Sequence, residues 1–212
     1  MHDSITRAAS ILSRGSEGID AVLNEESPQN RCVHALEALE QLANNEHMPI
    51  AIVGGLAAIH YGYPAATQGI DIAIAQKDLA TLISCSRSYG FKVEWESKLG
   101  WHTLIHGDVE INVVPEGGSA RDSSPTTIPG PVELGVTSGL DYASIERWIE
   151  LKVSSGRRKD QAHIVEVLKT CSAEIIEVIS GYLGTCHDDY ADTFSELLDV
   201  AQAERDQENK RR

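Results

Sequence analysis

The chain has 212 residues, with 18 Lys and Arg against 32 Asp and Glu, so its formal net charge is -14. That length suits one medium domain, or one domain with helical extensions, and a hydrophobic content of 42% excludes whole-chain disorder. The acidity argues against nonspecific binding to nucleic acid or an anionic membrane through a general basic surface. It leaves room for a small local site for a nucleotide and a metal.

Other classes fall on local pattern. No run of about 18 apolar residues is present, so no membrane span is expected. Met1-His2-Asp3-Ser4 starts no basic segment followed by an apolar stretch, so no signal peptide is expected. Cys32, Cys85, Cys171 and Cys186 form no C-x-x-C pair, which argues against a zinc knuckle. Free thiols and a cytoplasmic location are the expectation.

In chain order, the segment up to Asn45 reads as helical. Val33, Leu36, Leu39 and Leu42 recur at spacings of three, and Ser27-Pro28 suits a helix cap followed by the first helical residue. Residues 48–53 form a short apolar run ending at Gly54-Gly55, the pattern of a buried strand. A short helix over 56–61 is stopped by Gly62 and Pro64, and a second buried strand covers 70–74. Residues 78–89 read as a helix with Leu79, Leu82 and Ile83 inward, closed by Gly90. Strands are expected over 91–96, 101–106 and 109–114, with Lys98-Leu99-Gly100 and Gly107-Asp108 as hairpin connections. Residues 115–131, rich in Gly, Ser, Thr and Pro, read as a long loop of the kind that borders sites. Helices are then expected over 139–155, from Arg157 through Leu168, over 173–182 and over 190–203, with a charged tail from 204 to 212 that frays. Strands and helices intermixed in this way predict a mixed α+β domain with a small mixed sheet and helices at both ends. The sequence divides into an N-terminal helical segment (1–47), a core (48–170) and a C-terminal helical segment (171–212).

The most informative stretch is Ile52-Val53-Gly54-Gly55-Leu56-Ala57-Ala58-Ile59-His60-Tyr61-Gly62. Two glycines between a strand and a helix let the backbone approach a phosphate closely. A tight turn that merely needs glycine explains the pair equally well when it stands alone. Its context adds Thr67-Gln68-Gly69-Ile70-Asp71-Ile72 on the next strand and Asp108-Val109-Glu110-Ile111-Asn112-Val113 on a later one. Further on lies Leu151-Lys152-Val153-Ser154-Ser155-Gly156-Arg157-Arg158-Lys159-Asp160-Gln161-Ala162-His163. Taken together, these blocks resemble the nucleotidyltransferase superfamily with the DNA polymerase β-like fold. The resemblance extends to small bacterial abortive-infection toxins and to aminoglycoside and lincosamide nucleotidyltransferase-like proteins, and it runs from about Ile50 to Leu168.

That resemblance implies a site. Gly54, Gly55 and Thr67 would border the nucleotide, with Lys152, Arg157, Lys159 and Asp160 contributing from the downstream stretch. Asp71 and Glu110 would be the catalytic carboxylates and the ligands of magnesium. Magnesium takes hard oxygen donors in octahedral geometry, and two-metal transfer needs several carboxylates on one wall. Strand alternation supplies that wall, because residues i and i+2 share a face.

The sequence departs from the pattern at four places. Gly69 stands where the first carboxylate of the pair falls, Ala65 where an arginine falls and His163 where the final acid of the downstream stretch falls. Glu110 replaces the third aspartate, with Asp108 as the other assignment. Simpler readings also stand beside these residues. Asp71 and Glu110 can be strand carboxylates with structural partners, and Lys152 can pair with Asp160. Arg157, Arg158 and Lys159 can be a solvated helix start. His102 and His106 share a strand face but have no trusted metal spacing. Trp101 and Trp148 read as core.

Two functions follow from the resemblance. The first is transfer of a nucleoside monophosphate from a nucleoside triphosphate to a hydroxyl acceptor, with magnesium. The alternative is a catalytically impaired relative serving as a binding or interaction module, as in a toxin–antitoxin or phage-defence pair. The negative charge lies mostly in residues 1–48 and 171–212, so a protein partner is expected at the acidic flanking helices rather than at the nearly balanced core.

Overall fold

The computed structural model describes residues 28–63, 67, 69–96 and 101–211. Ser27, Ala65 and the Lys98-Leu99-Gly100 connection lie outside the described residues. Among those described, seven α-helices and six strands form a mixed α+β fold, as the sequence pattern predicts.

Helix α1 (Pro28–Asn45) is the first element of the described residues. It starts at the proline because a proline at the first helical position forfeits only an amide that has no intrahelical partner. Leu36, Leu39 and Leu42 are buried on its inner stripe. Strand β1 (Ile50–Val53) is buried at every position and leads directly into α2 (Gly54–His60). Strand β2 (Gly69–Ile74) follows, then α3 (Leu79–Cys85) flanked by 3-10 turns at Gln76–Asp78 and Ser86–Tyr89. Gly90 closes this unit at φ 84, a backbone conformation that glycine alone adopts at little cost. Strands β3 (Lys92–Glu96), β4 (His102–His106) and β5 (Val109–Pro115) complete an antiparallel meander.

No helix or strand occurs between residues 116 and 139. Strand β6 (Leu140–Tyr142) then precedes α4 (Ile145–Ser155), α5 (Arg158–Leu168), α6 (Ala173–Cys186) and α7 (Asp188–Arg211). The six strands form one sheet in the order β3-β4-β5-β2-β1-β6. Strand β2 pairs antiparallel with β1 and parallel with β5, and β6 adds to β1 in parallel.

Two expectations are corrected. The helix expected from residue 139 begins only at Ile145, because 140–142 form the edge strand β6, pairing with 50–52. Three residues with one buried side chain carry no periodicity that separates strand from helix. The tail expected to fray from 204 is helical through Arg211. Its hold is ionic: the Lys169 ammonium lies 2.9 Å from Glu204 and 3.0 Å from Glu208, and 2.8 Å from Glu166.

One hydrophobic cluster runs through the molecule, from Leu36 and Leu39 of α1, through Ile52, Ile72 and Ile111 of the sheet, to Trp148, Ile164, Leu183 and Phe194 of the later helices. Helix α2 touches β1, β2, α4 and α5, and so ties the sheet to the helices that follow.

Candidate functional site

Strand alternation aims two rows of polar residues off the middle of the sheet. Ile70, Ile72 and Ile74 are buried, so Gly69 and Asp71 belong to the opposite face of β2. Val109, Ile111 and Val113 are buried likewise, which puts Glu110 and Asn112 on the other face of β5. The parallel register sets Gly69 beside Glu110 and Asp71 beside Asn112. The position next to Asp71 is therefore Asn112, which the sequence reading did not single out, and Glu110 stands one row away, across from glycine. Spacing along β5 was visible in the sequence, but its register against β2 was not.

Asn112 holds Asp71 directly. Its Nδ2 donates to Asp71 Oδ1 at 3.1 Å, and the Thr103 hydroxyl of β4 lies 3.4 Å from Asn112 Oδ1. On the other side, the Gly54 Cα rests against the carboxylate. A Cβ built there would fall 1.8 Å from Asp71 Oδ2, and Gly54 has φ +66. Both reasons demand glycine. At Gly55 an added Cβ would be 3.2 Å from the Thr67 hydroxyl, which itself donates to the Gly69 carbonyl at 3.0 Å. The Trp148 indole N–H donates to the Gly54 carbonyl at 3.0 Å, clamping the turn to α4.

The opposite wall comes from the α4–α5 junction, which turns at Gly156, φ 64. Lys152 and Asp160 form a buried ion pair at 2.5 Å. Asp160 also accepts from the Ser155 hydroxyl at 2.6 Å and from Arg157 Nε at 2.7 Å. Burial pushes the Asp160 carboxyl up, but Lys152, Ser155 and Arg157 together outweigh it and hold the group below the usual carboxylate range. Burial pushes the Lys152 ammonium down, with Asp160 the main opposing influence. His163 is 3% exposed, and its Nδ1 has no hydrogen-bond partner among the described residues. Burial, then the Lys152 charge, lowers its pKa to about 4, so its ring is neutral near pH 7.

These walls enclose a cavity of about 530 Å³. Gly54, Gly55, Thr67, Asp71, Glu110, Lys152, Arg157, Lys159 and Asp160, the residues chosen from sequence, all line it. Asn112, Ser155 and His163 join them, and Trp101, Val114, Ala120, Ile128 and Leu151 add apolar surface. Trp148, expected in the core, is fully buried yet also reaches the lining. Arg158 is not among the lining residues. The expected contribution of the long loop is Ala120 and Ile128, and the loop is tied to Tyr190 of α7 by a hydrogen bond between the Thr126 and Tyr190 hydroxyls (2.8 Å).

The donor set does not fit a pair of magnesium ions. Among the described residues there is no group of three or more His, Cys, Asp or Glu placed to hold a metal. Gly69 offers no ligand, Asn112 offers no charge, and Asp71 already accepts from an amide while Gly54 packs against its other oxygen. Two dications need more anionic oxygen than this wall presents.

No protein-family model matches the chain, and no curated protein matches it. Among solved structures it is similar to ANT(2'')-Ia in complex with adenylyl-2''-tobramycin (16% identity, 81% of this chain and 97% of that one covered, TM-score 0.41). It is similar also to the solution structure of the antibiotic-resistance factor ANT(2'')-Ia (15% identity, 84% and 95% covered, TM-score 0.41). A third is a candidate nucleotidyltransferase from Thermotoga maritima (18% identity, 67% and 95% covered, TM-score 0.45). These likenesses say nothing of activity.

Proposed function

We propose that this protein binds a nucleoside triphosphate in the central cavity and acts as a binding module rather than as a two-metal nucleotidyltransferase. The observation that carries the reading is the pairing of Asp71 with Asn112 and of Gly69 with Glu110 on one wall of that cavity. The cavity itself is of ligand size. Its α4–α5 wall offers Lys152, Arg157 and Lys159 against one carboxylate, Asp160, an excess of positive charge suited to a phosphate chain. Trp101, Val114 and Ile128 supply an apolar surface for a base or sugar.

Magnesium-dependent transfer to a hydroxyl is the second reading. What favours it is that Asp71 and Glu110 share one strand face and one cavity. Within the first reading, the carboxylates of α6 and α7 are the surface for a basic protein partner. None of the four cysteines is in a disulfide, which suits the cytoplasm. None of the described helices is long and apolar enough to cross a membrane.

Isothermal titration with ATP, GTP, CTP and UTP tests the binding. Heat with at least one nucleotide, lost in Lys159→Ala, is the expected result; no heat with any of the four removes the reading. Incubation with the bound nucleotide, magnesium and a panel of hydroxyl acceptors then separates the two. Release of pyrophosphate would favour transfer.

A further inference from the structure

We infer that the Asn112 amide occupies the position a divalent cation would take against Asp71, so that the cavity accepts its anionic ligand without a metal. The nucleotide part of this rests on the proposed function; the exclusion of metal stands on the sheet alone.

Three adjacent strands put Thr103, Asn112 and Asp71 in one row, since Thr103 pairs with Asn112 on one side and Asp71 with Asn112 on the other. The amide is engaged at both ends. Its Nδ2 donates to the carboxylate at 3.1 Å and its oxygen faces the Thr103 hydroxyl at 3.4 Å. The reversed amide would set its oxygen against Asp71 and its NH₂ against the threonine, trading a charge-assisted hydrogen bond for a repulsion. The orientation that stabilises Asp71 thus also turns the Asn112 oxygen toward Thr103 and away from Asp71.

Charge tells the same way. A carboxylate beside a carboxylate leaves two like charges that a cation relieves, whereas a carboxylate beside an amide gains a hydrogen-bond donor and no second negative charge. The attraction of Asp71 is felt as far as Lys152, whose ammonium it helps to keep protonated. A dication entering next to Asp71 would meet that positive field. Restoring the missing acid at Gly69 is also obstructed, because a Cβ there comes 3.0 Å from the Glu110 carbonyl oxygen. The lost ligand position is therefore crowded by backbone, and a Gly69→Asp change requires the two strands to give by a few tenths of an ångström. Ligand phosphate is then neutralised from the other side of the cavity, by Lys159 and by the Lys152–Asp160–Arg157 cluster.

Asn112→Asp is the discriminating variant, being nearly isosteric. Thermal melts of the wild type and of this variant are recorded in EDTA and in excess magnesium or manganese alone, with no nucleotide present. The wild-type melting temperature is expected to be the same in all three. Asn112→Asp is expected to melt lower in EDTA and to recover when either metal is added. A wild type stabilised by metal, with the effect lost in Asp71→Asn, overturns the inference, and so does an Asn112→Asp variant that folds but ignores metal. In a separate arm, the affinity of the wild type for its nucleotide is compared in EDTA and in magnesium. A ratio within about threefold is expected, and a gain of tenfold or more (about 1.4 kcal/mol) with magnesium overturns the inference. Absence of nucleotide binding in both conditions removes only the nucleotide reading, because the melts test the metal separately.

Discussion

Gly54 and Asp71 are in van der Waals opposition across the first strand turn: a Cβ on the glycine would lie 1.8 Å from the aspartate Oδ2. Neither residue has a choice. The aspartate carboxylate fills the space a side chain at 54 would need, and the turn itself requires φ +66. Gly54→Ala should therefore cost about 3 kcal/mol, combining a left-handed backbone with overpacking. In an Asp71→Gly background the same change should cost only about 1 kcal/mol, because the clash is gone and the backbone term remains. Urea midpoints at unchanged slope measure both. Equal costs in the two backgrounds would show that the contact is not what fixes the glycine.

Lys152 and Asp160 should be strongly coupled. Asp160→Leu strands a buried ammonium, and a loss of about 3 kcal/mol or more is expected. Lys152→Met should cost less, because Asp160 keeps the Ser155 and Arg157 contacts. The double variant should recover part of the Asp160→Leu loss, since two apolar side chains bury no unpaired charge. A double-mutant cycle by chemical denaturation reads the coupling directly.

His163 predicts a pH dependence with a definite sign. Its pKa is lowered from 6.5 to about 4 in the fold, first by burial and then by Lys152. On acidification the unfolded chain takes up this proton before the folded one does. Stability contributed by the neutral ring is complete above pH 6.5 and is lost as the pH falls toward 4. The loss is on the order of 2 kcal/mol over that window. Asp160, also lowered, acts further down: its contribution is present above the unfolded carboxylate value and disappears as the pH falls through the folded one. Denaturation of wild type and His163→Phe between pH 4 and 7 isolates the histidine part, and the variant should show a flatter slope in that window.

Lys169 should hold the C-terminal turns of α7. Its ammonium is raised above the ordinary lysine range by Glu166 first and then by Glu204 and Glu208. Lys169→Met should leave the global unfolding free energy within about 1 kcal/mol, as for partly exposed ion pairs. Amide exchange over residues 204–211 should nonetheless speed up, and high salt should reproduce much of that effect in the wild type. Hydrogen exchange with mass spectrometry resolves the segment. Unchanged exchange there would assign the helix end to packing instead.

Much of this could be read from residue order. The apolar runs at 50–53 and 70–74 and the period-three stripe of Val33, Leu36, Leu39 and Leu42 marked buried strands and an inward helix face. Gly54-Gly55 marked the turn, and the resemblance carried by residues 151–163 marked Lys152 and Asp160, which sit on successive helices joined at Gly156. What sequence could not carry was pairing across the sheet. Glu110 was assigned as a carboxylate of the same wall as Asp71, but which residue of β5 stands beside Asp71 depends on the register, which sets Asn112 there and Glu110 across from Gly69, and a slip of two residues is invisible in a pattern of alternating apolar side chains.

Edge strand β6 and the ordered end of α7 escaped for the same kind of reason. Three residues of strand gain their stability from β1, and a charged tail gains its order from a lysine on another helix. By itself, then, the sequence determined the first five strands and the main helices, where the turns need glycine, and which charges gather at one end of the core. Those properties follow from local sterics and from burial periodicity. The tertiary structure alone decided which side chain stands beside Asp71, that a backbone carbonyl crowds the Gly69 position, and that an amide rather than a carboxylate completes the row. Those depend on register and on contacts between residues about forty positions apart, which no local pattern encodes.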